Sequence, residues 1–149
     1  MIFGRQSAWE PELVRTVLNW PPSLFLARLL LIGAYLLGGF SKLFDFAAAT
    51  AEQTHFGMHP PQLWAALTIA VEIIGSMLIL CDLATWLGAG MLGIFTIFAA
   101  FMANDFWNLQ GAERFAAFNG FFEHLGLAGA FVLAAMMSRA HTSSADRNG

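Results

Sequence analysis

The sequence predicts an all-α polytopic membrane protein: a bundle of four transmembrane helices preceded by an interfacial amphipathic helix. Three observations carry this expectation. The chain of 149 residues is 58% hydrophobic and only 11% charged, and a soluble domain of this size carries about twice that charged fraction. Four apolar runs of about twenty residues fill most of it, and about twenty helical residues cross a hydrocarbon core of about 30 Å. Within the runs, small residues recur four apart, as in Ala34–Gly38, Ala89–Gly93 and Gly126–Ala130, the spacing that lets membrane helices approach closely. The length allows one domain, and little chain is left for a soluble catalytic one.

Residues 1–20 form an arm rather than a span. Trp9, Leu13 and Val17 fall at i, i+4 and i+8, with Val14 and Leu18 beside them, while Arg5, Glu10, Glu12, Arg15 and Asn19 take the other face. Pro11 suits the first turn of a helix. This pattern lies on a membrane surface, with Trp9 and Trp20 as interfacial anchors. The arm does not read as a cleavable leader, because the first long apolar run begins only after Pro21-Pro22 and no small-residue cleavage site follows a short apolar core.

The transmembrane domain is expected over residues 21–138. Its first span, residues 23–44, opens after the proline pair, carries Arg28 near its start and ends in Gly39-Phe40-Ser41-Lys42-Leu43-Phe44-Asp45. A connector follows in which Ala47, Ala48, Ala49, Ala51 and Glu52 favour a short helix, ended by Gly57 and Pro60-Pro61. His55 and His59 have the four-residue spacing of a helical metal pair, but Gly57 between them and Pro60 after them break the helix, so no metal site is expected. The second span, residues 61–80, has Glu72 as its one charged residue. Cys81-Asp82 makes a tight turn into the third span, residues 83–103, so these two are antiparallel neighbours. Asn104-Asp105-Phe106-Trp107 begins a polar connector, and the fourth span, residues 115–137, carries Glu123-His124 in its first half. Residues 139–149 form a polar tail.

Composition narrows the function classes. A net charge of −3 gives no basis for a nucleic-acid partner, and the single cysteine, Cys81, cannot form an intrachain disulfide or a dithiol motif. Four spans put both termini on one side. Arg5, Arg15, Arg28, Arg139 and Arg147 belong to that side and only Lys42 and Arg114 to the other, so the termini are expected in the cytoplasm of a cell with this protein in its inner (plasma) membrane.

Ionisable residues within spans are costly, and they usually face a bundle interior or a water-filled cavity. At a rise of about 1.5 Å per residue, Arg28 and Glu72 lie roughly 7 Å and 12 Å from the same end of the bundle. An arginine side chain bridges that difference, so Arg28 is expected to orient Glu72. His124 lies roughly 14 Å from the opposite end and is expected to meet Glu72 near midplane. Glu123 stands about 100° round the helix, so its direction is left open. A carboxylate with an imidazole passes protons near neutral pH, and quinone reduction takes up two protons with two electrons. Glu72 and His124 are therefore the candidate catalytic pair. Lys42, Asp105 and Asn104 are expected at the far rim; together with Arg28, toward the other end, they make up the candidate substrate-binding set. Trp107 and Phe121, with Phe106, Phe118 and Phe122, offer a flat apolar wall for a ring. A purely structural reading stands beside this one: ion pairs that fix helices, a histidine bonded to backbone, and aromatics that pack.

The order of several short pieces resembles the DoxX family of small four-helix membrane proteins. These are Arg28; Gly38-Gly39-Phe40-Ser41-Lys42-Leu43 with Asp45; Val71-Glu72-Ile73-Ile74-Gly75; and Asn104-Asp105-Phe106-Trp107. Asn104 stands where the family has histidine, Glu123-His124 where it has Lys-Asn, and Gly129-Ala130 where it has Gly-Gly. The resemblance covers residues 27 to about 135. It implies the four-helix fold, and work in or beside quinone-linked oxidoreductases, of which the family's thiosulfate:quinone oxidoreductase subunit is an example. The departures fall at the candidate site, so thiosulfate is not carried over. The expected function is a component of a quinone-linked membrane oxidoreductase, with no covalent cofactor, a quinone as ligand, and the bilayer and other membrane subunits or further copies as partners. The alternative is a non-catalytic accessory subunit packed on a larger membrane complex.

Overall fold

The computed structural model describes residues 11–145, with side chains as far as residue 138. Among these residues the regular secondary structure is all helical, and the four longest helices are long and apolar enough to cross a membrane. A short α1 (Glu12–Leu18) leads into α2 (Ser23–Phe44), α3 (Phe46–His55), α4 (Pro61–Leu80), α5 (Thr85–Ala103), one 3-10 turn (Phe106–Asn108) and α6 (Gly111–Ala145). Helix α1 buries no residue, and Leu13, Val17 and Leu18 stand exposed. That unpaired apolar stripe is what an interfacial helix offers a bilayer. Trp9 lies outside the described residues.

Local chemistry sets the helix ends. Pro61 opens α4, where its missing N–H costs nothing. The Asp45 carboxylate accepts the Ala48 N–H at 3.0 Å and so starts α3 one residue after α2 stops. Gly57 adopts φ +70° just past the end of α3, a conformation open to glycine without a Cβ penalty. At the turn between α4 and α5, Asp82 takes φ 53°, which a short polar side chain tolerates best among non-glycine residues.

Two expected boundaries move. Helix α5 begins at Thr85 rather than residue 83, because Cys81 to Ala84 all serve the turn. Helix α6 is longer at both ends than the expected residues 115–137: it starts at Gly111 and continues to Ala145. Ala112-Glu113-Arg114 are good helix formers, and no glycine or proline stops the chain between residues 138 and 145.

The spans pack in chain order, α2 on α4, α4 on α5 and α5 on α6, with α3 laid on α4. Ile32 and Tyr35 of α2, Ile79 of α4, Ala89 and Leu92 of α5 and Phe131 of α6 form the buried core. Tyr35 ties it together. Its ring meets Phe131 and Phe95 edge to face, with centroids 5.4 Å and 6.4 Å away. Its hydroxyl donates to Thr96 Oγ1 at 2.6 Å, and that hydroxyl donates to the Leu92 carbonyl at 2.6 Å. The tightest crossing is between α4 and α5: a Cβ on Gly88 would stand 2.5 Å from the Gly75 carbonyl oxygen. Gly126, by contrast, faces open space, so the Gly126–Ala130 pair does not make a close helix crossing from this chain's own helices.

Candidate functional site

Glu72 is buried on the face of α4 that meets α2. The absence of side chains at Gly38 and Gly39 lets α4 approach: a Cβ at Gly39 would lie 2.8 Å from Ile73 Cγ1 and 3.1 Å from Glu72 Cβ. Into this crossing comes Lys42, whose Nζ donates to both carboxylate oxygens of Glu72, at 2.9 Å and 3.2 Å. The two charges therefore compensate each other within a span, the condition under which buried charge is tolerated.

This corrects the expected partnership of Arg28 with Glu72. Arg28 instead bonds the Asp82 carboxylate at 2.8 Å, in the turn between α4 and α5. The reason is the direction of helical side chains, which lean toward the helix N-terminus. Lys42, near the end of α2, leans back into the bundle and reaches Glu72. Arg28, near the start of α2, leans out to the turn. Asp82 also accepts the Thr85 hydroxyl at 2.6 Å. The Arg28–Asp82 pair fastens the end of the bundle opposite α3.

Nor does the structure bring Glu72 and His124 together. Helix α6 packs along α5, not α4, and His124 Nδ1 lies 2.7 Å from the Gly120 carbonyl of its own helix. The Asn104 side chain packs over Gly120, whose lack of a Cβ leaves it room. Gly120 is thus level with the end of α5, and His124 is one turn inside. Phe131, almost two turns deeper, is the residue that touches Gly93. Depth counted from the end of the apolar run missed this because α6 overshoots α5. Glu123 is exposed.

The aromatic residues do assemble. Phe121 is buried against Phe101, Phe106, Trp107 and Phe122, with centroids 5.1 to 6.1 Å away and edge-to-face geometry. These rings fill the corner between α5, the 3-10 turn and α6 with one another. Asp105 accepts the Asn108 amide at 3.1 Å, while the Asn104 amide nitrogen is buried without a partner. Asn104, Asp105, Trp107 and Phe121 are therefore neighbours, but Lys42 is not among them.

An open cavity lies elsewhere. About 460 Å³ in volume, it runs between α3, α4 and α5, and its lining is almost wholly apolar. Trp64 and Phe98, stacked at 6.3 Å with an interplanar angle of 10°, form part of one wall, and Thr68, Phe95 and Ala99 continue it. Besides Thr68, the polar residues of the lining are Lys42 of α2, and Glu52 and Gln53 of α3. A second, polar recess of about 260 Å³ between α2 and α3 shares Lys42 and Glu52 and adds Ser41 and Asp45. Lys42 thus borders an apolar space, a polar space and the buried Glu72 at once. Exposed Leu67 and Ile94 mark where the apolar cavity meets lipid.

The sequence singled out Glu72 as a charge within a span but matched it with Arg28 and His124, set Lys42 at the rim, and did not reveal the cavity. The missed signal was in the connector. Ala49 and Gln53, four apart, form the buried face of α3, so the short helix is a wall of the bundle and not merely a link.

These features match a known family. The DoxX family profile matches residues 23–105, which is α2 through α5 and more than half of the chain. The chain belongs to the DoxX family. It is also similar to the inner membrane protein YphA of Escherichia coli, at 24% identity over 116 residues that cover 78% of this chain and 83% of that protein. No solved structure matches it.

Proposed function

We propose that this DoxX-family protein resides in an inner membrane, binds a membrane quinone in the cavity between α3, α4 and α5, and works as a component of a quinone-linked oxidoreductase. The supporting observation is the meeting of a ring-sized apolar cavity with the Lys42–Glu72 pair. Binding sites for flat lipophiles are mostly apolar with a few placed polar groups, and Trp64 and Phe98 offer a ring face. Reduction of a quinone to its quinol consumes two electrons and two protons. Lys42 and Glu72 are the groups placed to relay those protons, from the polar recess bounded by Ser41, Asp45 and Glu52. The electrons come from a donor or a further subunit. In this reading Arg28 fastens the far end of the bundle. His124, Asn104, Asp105, Trp107 and Phe121 set the packing of α6 on α5. An anionic substrate at Lys42 is disfavoured, because Glu72 already neutralises it and Asp45 and Glu52 border the same recess.

The reading is tested by purifying the protein from native membranes in mild detergent, extracting bound lipids and quantifying quinones against an unrelated four-span protein treated alike. About one quinone per chain above that control is expected. No enrichment, together with a stable co-purifying protein, would replace this reading with the accessory subunit. That alternative draws on the low burial of α2 and α6 within this chain, compared with α4 and α5, which leaves two helix flanks for a larger complex or for lipid.

A further inference from the structure

The side chain of Gln53 is the one feature of the cavity that the packing of the protein does not explain. It stands on the inward face of α3, one turn after Ala49, where an apolar residue would ordinarily be found, and it is 8% exposed. Its backbone carbonyl accepts the Met58 N–H at 2.9 Å. Its carboxamide makes no hydrogen bond among the described residues, and it borders the apolar cavity. The fully enclosed unpaired polar atoms among the described residues are Ser76 Oγ and Asn104 Nδ2, so the Gln53 amide is not sealed off; an amide left on an apolar wall without a protein partner takes its hydrogen bonds from whatever enters the space beside it. The other polar residues of the lining, Lys42, Glu52 and Thr68, make no hydrogen bond to it, and Lys42 is engaged by Glu72. The missing partner is therefore expected to come from what occupies the cavity.

We propose that Gln53 is the residue that binds the polar head of the cavity's ligand, and that this ligand is a flat lipophile bearing a ring carbonyl or hydroxyl. The inference rests on the quinone reading above and specifies which residue holds the ring. A carboxamide both donates, through Nε2, and accepts, through Oε1. It donates to a quinone carbonyl and accepts from a quinol hydroxyl, so one side chain serves both redox states without changing charge. An acidic side chain there would favour the quinol, and a basic one the quinone. Gln53 shares its wall of the cavity with Lys42 and Glu52, so a ring held there has the Lys42–Glu72 pair beside it. Its apolar part lies against Trp64 and Phe98, and its tail leaves toward lipid past Leu67 and Ile94.

The test compares binding of methylnaphthoquinone and of methylnaphthalene, a ring of similar shape without carbonyls, to the detergent-solubilised protein, with empty micelles as reference. Wild type is expected to prefer the quinone by about tenfold, the value of one buried hydrogen bond. Gln53→Met, similar in length and apolar, should lose that preference while binding methylnaphthalene as before. Its apparent Tm should be unchanged or raised, since an unpaired amide has been removed. Gln53→Leu provides a second variant of the same kind should Gln53→Met fail to fold. A preference that survives either substitution overturns the assignment, as does an equal loss of both ligands, which would mean that Gln53 only shapes the wall. If wild type binds neither probe, the quinone reading itself fails and takes this assignment with it.

Discussion

Lys42 and Glu72 form a pair in which each charge is tolerable only because of the other. A buried ion pair is not a strong source of net stability, since desolvation offsets most of the attraction, but removing one member leaves an uncompensated charge. Lys42→Ala is therefore expected to lower stability by about 3 kcal/mol, whereas the double replacement Lys42→Met with Glu72→Leu should lie close to wild type. Thermal melts of the three proteins in one detergent check this. A single variant no worse than the double would mean that the pair is not as desolvated as its geometry indicates. Glu72 was legible in the sequence as a charge inside an apolar run, and Lys42 as a rim charge at the end of one. Their partners were not, because depth along a helix gives the height of a Cα but not the lean of its side chain. Lys42 and Arg28 both lean toward the start of α2, which carries Lys42 to Glu72 and Arg28 to Asp82. Gln53 left a weaker trace: it is polar, lies in a connector, and becomes conspicuous only once Ala49 and Gln53 are seen to share the buried face of α3.

Helices of this bundle meet where glycine allows it, but not at every glycine. The sequence marks Gly75, Gly88, Gly90, Gly93 and Gly126 alike as small residues in apolar runs. The structure separates them by what a methyl group would meet. At Gly88 it would strike the Gly75 carbonyl and the side chains of Leu78 and Ile79, whereas at Gly90 and Gly126 it would meet nothing within 4 Å. Gly88→Ala must push α4 and α5 apart, at a cost of about 1–3 kcal/mol. Gly90→Ala and Gly126→Ala should be neutral or slightly stabilising, since alanine is the better helix former. Melting temperatures and the yield of folded protein distinguish these outcomes, and a Gly88→Ala protein as stable as Gly90→Ala would contradict the close crossing. The four spans themselves were readable almost to the residue, since length and hydropathy set them. Helix α6 was the exception. Its polar flanks hid the fact that helix continues beyond the apolar run, and that extension moved His124 from the expected midplane to one turn inside the end of α5.

As a whole molecule, the chain is a four-span bundle closed at one end by Arg28–Asp82 and hollowed near the other, where α3 lies on α4. The core around Tyr35 joins all four spans. The space between α3, α4 and α5 is open, and its lining includes the stacked Trp64–Phe98 pair, the unpaired Gln53 amide and Lys42 of the ion pair. Cavity and polar groups together are what a lipophilic ligand with a polar head requires, and it is this space that the proposed quinone would occupy. Ala99 lines the cavity without belonging to the buried core, so Ala99→Phe should fill the space and leave the bundle intact. The most direct measurement is the affinity of a short-chain quinone for wild type and for Ala99→Phe in the same detergent, alongside the apparent Tm of each. A loss of at least tenfold in affinity with an unaltered Tm is the result expected. Equal affinities for two equally stable proteins would place the quinone elsewhere and contradict the account.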